Sequence, residues 1–170
     1  MKLTHMALIA LIILIATFIV SVRMTSKELN TSGPTGALAT KYSLTDTEKA
    51  EIASYADIIV LESPQPLQEV TLPFQVTGKA RGYWFFEASF PIMLVDENDN
   101  IIARSIGQST GDWMTTDFIG FTSTLASTTL ATSSASSSTL TKAYIMLAKD
   151  NPSGDAANDR TLRIPVLLRK

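Results

Sequence analysis

From residue 57 onward, apolar and polar side chains alternate with a period of two, the spacing of half-buried β-strands. Between Pro73 and Ala80, Phe74, Val76 and Ala80 share one face, and Gln75, Thr77 and Lys79 the other. Tyr83 to Val95 reads as the longest strand, with Trp84, Phe86, Ala88, Phe90, Ile92 and Leu94 forming a continuous core face. Its opposite face carries Tyr83, Phe85, Glu87, Ser89, Pro91 and Met93, so Tyr83, Phe85 and Glu87 are the candidate partner surface. In Thr161 to Arg169, Leu162, Ile164, Val166 and Leu168 point inward, and Arg163 and Arg169 outward.

Four further strands fall at Ile58 to Leu61, Ile101 to Ile106, Trp113 to Thr124 and Leu140 to Ala148. Turn signals recur about every 10 to 15 residues, and a set of about seven strands spaced this way predicts an all-β, immunoglobulin-like β-sandwich over residues 57–170. Asp96-Glu97-Asn98-Asp99-Asn100 reads as a hairpin turn, with a loose calcium site as the alternative. An EF-hand is excluded, because Ile101 stands where its tight-turn glycine belongs and Gly107 where its bidentate glutamate belongs. Most residues from Thr122 to Thr141 are Ser or Thr, which predicts a long solvated connection.

The N-terminus obeys a different rule. Leu3 to Val22 is almost entirely apolar, and twenty helical residues at about 1.5 Å each reach roughly the 30 Å of a bilayer core. Residues 1–23 therefore read as one N-terminal transmembrane helix, an anchor or signal segment. No small-residue cleavage site lies close after the run, which favours an uncleaved anchor; cleavage would make the protein secreted. Lys2 on one side nearly balances Arg23 and Lys27 on the other, so the orientation, with the domain extracytoplasmic, rests on the exported look of that domain. Residues 24–56 read as a flexible tether holding Gly33, Pro34 and Gly36, with a short helix at Asp46 to Ala56 opened by the capping box Thr45 and Glu48.

Charge and composition remove most chemistry. A formal net charge of −2 lacks the cationic surplus that nucleic-acid binding needs. With no cysteine there is no thiol nucleophile, thiolate metal site, disulfide or lipidated cysteine anchor. The single histidine, His5, lies in the apolar segment, so a Ser-His-Asp triad and histidine zinc sites are excluded. Glu87, Asp96, Glu97, Asp99, Asp112 and Asp117 could supply a carboxylate pair for hydrolysis, but their spacing singles out none, and turn carboxylates are ordinarily solvated surface groups.

Several motifs in order resemble the bacterial Gmad2 domain, the immunoglobulin-like domain associated with spore germination. In the first half they are Ile58-Ile59-Val60 to Pro64, Leu72 to Ala80 and Trp84 to Phe90. In the second half they are Gly111-Asp112-Trp113-Met114, Phe118 to Phe121, Asp150-Asn151-Pro152-Ser153-Gly154 and Ile164-Pro165-Val166. The resemblance spans Asp57 to Arg169 and implies a bacterial envelope protein that binds rather than catalyses. The expectation is thus a non-enzymatic, membrane-anchored interaction module without cofactor or metal, its partner an envelope protein or cell-wall component. One alternative is a structural surface or appendage subunit with a glycosylated Ser/Thr-rich loop; another is a carboxylate-dependent hydrolase.

Overall fold

The structure is a computed structural model that describes residues 41–127 and 139–169. The apolar segment Leu3 to Val22, the tether as far as residue 40 and the heart of the Ser/Thr-rich stretch lie outside the described residues. Among the described residues no helix is long and apolar enough to cross a membrane.

Thr45 opens helix α1 (Asp46–Ser54) with the expected capping box: Glu48 N–H donates to Thr45 Oγ1 at 3.2 Å, and Thr45 N–H donates back to Glu48 Oε2 at 2.8 Å. No residue of the helix is fully buried. Ile52 and, just past its end, Tyr55 nevertheless pack on the core. Tyr55 meets the Trp84 ring edge-on at 5.8 Å between centroids. The compact unit therefore starts at Lys41, and α1 is part of it.

Eight strands come after it: β1 (Ile59–Ser63), β2 (Glu69–Val70), β3 (Phe74–Arg81), β4 (Ser89–Asp96), β5 (Ile101–Ser109), β6 (Phe118–Leu125), β7 (Leu140–Ala148) and β8 (Thr161–Arg169). They form one curled sheet in the order β1-β3-β6-β5-β4-β7-β8-β2. The join between β5 and β6 is only Gln108 opposite Thr122 and Ser109 opposite Phe121. There the sheet folds over, so that β1-β3-β6 and β5-β4-β7-β8-β2 become two layers sharing one core. Phe90 of β4 meets Phe121 of β6 across the core at 4.9 Å between ring centroids. Aromatic edge-to-face contacts of this kind stabilise beyond the area they bury.

Alternation holds where the sequence shows it most cleanly. Val76 and Ala80 in β3, Phe90, Ile92 and Leu94 in β4, and Leu162, Ile164, Val166 and Leu168 in β8 are all core. Gly78 takes the inward slot between Val76 and Ala80 because a Cβ there would lie 2.2 Å from Val60 O and 2.6 Å from the Phe121 ring.

Three expectations are corrected. A strand of only two residues, β2, brings the total to eight; it pairs parallel with β8, Glu69 opposite Leu167 and Val70 opposite Leu168. The strand expected from Trp113 begins only at Phe118. Most consequential, the strand expected from Tyr83 to Val95 begins at Ser89. Gly82 to Trp84 form a 3-10 turn instead, and Phe86 and Ser89 exchange backbone hydrogen bonds at 2.9 and 3.1 Å around Glu87 and Ala88. Both central residues hold positive φ, 49° and 64°, the signature of a tight primed hairpin turn.

Candidate functional site: the loop end of the sandwich

The 3-10 turn at Gly82 to Trp84, ahead of the reversal at Glu87 and Ala88, changes which aromatics face water. Trp84 is buried at 1 % exposure and Phe85 at 4 %, whereas Tyr83 is 53 % and Phe86 40 % exposed. The parity expected for this stretch therefore fails after Trp84. Phe85, expected on a partner surface, instead packs on Phe90 at 5.3 Å, and Phe86, expected in the core, is at the surface. Tyr83 and Glu87 are exposed. The structure therefore leaves Tyr83 and Glu87 on one short connection, adds Phe86 and withdraws Phe85.

Two more connections meet this one. Gly82 sits so close to residues 110–117 that a Cβ would lie 1.9 Å from Thr115 O and 2.2 Å from Trp113 O. Gly82 N–H also donates to Asp117 O at 3.2 Å. Arg81 ties the same loops, donating to Asp57 O at 2.9 Å and Thr116 O at 3.2 Å with its guanidinium 4.1 Å over the Phe118 ring. That loop carries Met114, which is 77 % exposed, its N–H held by Asp112 Oδ1 at 3.0 Å.

The third connection, residues 149–160, joins through Asp150 N–H donating to Trp84 O at 3.3 Å. It is the expected turn at Asp150 to Gly154, extended: Asn151 Nδ2 donates to Asp155 O and Asp159 Oδ1, and Gly154 supplies φ 68°. Beside these loops, Ile106 lies opposite Pro91 where β4 starts and β5 ends, and is itself exposed. Four of the five exposed large apolar side chains among the described residues, Tyr83, Phe86, Ile106 and Met114, thus gather at one end of the sandwich. Exposed apolar side chains on and beside loops that are tied to one another are the arrangement that marks interaction sites.

A second polar cluster lies between α1 and the outer face of β7 and β8. Lys142 Nζ is 2.6 Å from Glu48 Oε1, Tyr144 Oη donates to the same oxygen at 3.2 Å, and Arg163 N–H donates to Glu51 Oε1 at 3.0 Å. The Arg163 guanidinium lies 4.4 Å over the Tyr144 ring and reaches Asp99 at 2.8 Å. Burial alone would raise the Glu48 pKa, but hydrogen bonds from Lys142 and Thr45, with the Lys142 charge, outweigh it and hold the carboxyl below its ordinary value. Every charge there already has a partner on a neighbouring element, which is the chemistry of a docking clamp for α1.

At the other end, Asp96 Oδ1 accepts the N–H groups of Asn98 and Asn100 at 2.8 and 2.9 Å. Asp99 adopts φ 61° and pairs with Arg163, so this segment is a hairpin turn. Among the described residues no group of three or more His, Cys, Asp or Glu side chains is placed to hold a metal ion.

Residues 58–140 match the family model Gmad2, the immunoglobulin-like domain of bacterial spore germination. The match runs from just before β1 to the first residue of β7, so the resemblance at Asp150 to Gly154 and Ile164 to Val166 lies beyond it. No curated protein and no solved structure matches the chain.

Proposed function

We propose, for a chain whose residues 58–140 match the Gmad2 family model, that it is a membrane-tethered binding module of the bacterial cell envelope and carries out no chemistry of its own. Its contact surface is the loop end built from residues 82–88, 110–117 and 149–160. The observation that carries this reading is the gathering of Tyr83, Phe86, Ile106 and Met114 on and beside loops locked together through Gly82 and Arg81. Holding loops rigid before contact reduces the ordering cost of association, so exposed aromatic and Met side chains can act as anchors. The anchor is the apolar Leu3 to Val22 segment, and the partner is an envelope protein or a cell-wall component. The family's tie to germination belongs to the family; the process this chain serves is set by its partner.

The test compares the full chain with its Tyr83→Ser/Met114→Ser double variant as bait on envelope extracts. A discrete species retained by the wild type, and reduced about tenfold or more by the variant, supports the proposal. Equal retention by both, or none by either, overturns it.

A further inference from the structure

Within the loop end lies a small cavity of about 220 Å³ lined by Ile58, Tyr83, Trp84, Lys149, Asn158 and Arg160. Most of its wall is apolar or aromatic, and Lys149, Arg160 and Asn158 bring two cations and an amide to the remainder. Trp84, which forms part of that wall, holds its indole Nε1 buried with no hydrogen-bond partner among the described residues. An indole N–H can only donate, and an orphaned buried donor calls for an acceptor.

The two cations of the wall lack a charge partner among the described residues. Neither Lys149 nor Arg160 is in an ion pair with any described residue. Arg160 Nη1 donates to Ala157 O at 3.1 Å and Asp159 O at 2.7 Å, bonds that fix the guanidinium while leaving its other N–H groups to donate. Asn158 is steadied by its Nδ2 donating to Ser153 Oγ at 3.2 Å. No carboxylate lines the cavity.

We infer that this cavity binds the carboxylate of a partner molecule, Lys149 and Arg160 pairing with its oxygens while its apolar stem lies against Ile58 and Tyr83. A planar monoanion with an apolar stem suits a mostly apolar wall that carries two cations. A phosphate would set a strongly hydrated dianion against the apolar part, at a desolvation cost the carboxylate avoids. The volume admits one small group, such as a terminal residue of a peptide or an acidic sugar, and not a large cofactor. The inference rests on the reading of the loop end as the contact surface and names the chemistry that surface selects.

The test tracks the Trp84 indole proton by NMR in the full chain in a nonionic detergent, the signal assigned with Trp113→Phe. N-acetyl-alanyl-alanine with a free carboxylate, the same peptide as its amide, sodium glucuronate and inorganic phosphate are titrated in turn. Saturable shifts with either carboxylate, absent with amide and phosphate, support the inference, and the stronger carboxylate tells peptide from sugar. Arg160→Gln and Lys149→Gln, both surface changes, should each weaken that binding about tenfold. No shift, an equal shift with amide or phosphate, or unchanged affinity in both variants overturns it. If it falls while the Tyr83/Met114 double variant still abolishes capture, only the pocket is wrong; if the double variant has no effect, the loop-end reading fails with it.

Discussion

Glu87 and Ala88 are two residues with side chains in a backbone region that glycine and asparagine occupy far more readily. Their left-handed conformation costs stability, about 1–2 kcal/mol per residue for an ordinary L-residue. It persists because the surroundings fix it: Gln108 Nε2 and Ser109 N–H both donate to Ala88 O, at 3.0 and 2.8 Å. Replacing the pair with Asn-Gly, the preferred residues of a primed hairpin turn, should raise stability by about 1–2 kcal/mol in a urea titration monitored by tryptophan fluorescence. Unchanged or reduced stability would contradict the assigned turn. Together with the 3-10 turn at Gly82 to Trp84, this pair hid the site from sequence reading. Nothing in Glu-Ala announces a reversal, so alternation carried through from Trp84 placed Phe86 inside and Phe85 outside. Where the backbone stays extended, as in Phe74 to Ala80 and Leu162 to Leu168, parity alone identified the core face.

At the level of elements, α1 shows how a local signal and a tertiary contact divide the work. Thr45 and Glu48 mark the helix start in sequence, because a capping box needs only residues three apart. That Glu48 also receives Lys142 and Tyr144 could not be read, since those partners are brought together only by the order of the sheet. The clamp makes α1 docking depend on pH. Glu48 has its folded pKa below the ordinary 4.5, so its contribution is complete above that value and is lost as the pH falls through the lowered pKa. For Lys142, burial alone would lower the pKa, but Glu48 and Tyr144 outweigh it and raise it above 10.5. Its contribution is complete below 10.5 and is lost as the pH climbs through the raised value. Hydrogen exchange of the α1 amides, corrected for intrinsic rates, should therefore accelerate on acidification below 4.5 before that of β4 and β7. Glu48→Gln should flatten that acid limb; an identical pH response in the variant would remove Glu48 from the clamp.

For the molecule as a whole, an all-β architecture was legible because the layers are built from long alternating strands whose faces survive any error at their ends. Two features were not. Strand β2 is two residues long, too short to show a period, and exists because Gln68 and Leu167 bond it to β8. The loop end is assembled from residues about 30 to 75 apart in sequence, so no local window contains it. Its contact role is the central claim, and site-specific photo-crosslinking in intact cells tests it most directly. A photoreactive phenylalanine analogue at position 83, 86 or 114 should give a discrete adduct of one common partner, while the same analogue at Asn98, on the hairpin at the opposite end, should give none. Adducts at position 98 with none at 83, 86 and 114 would contradict it.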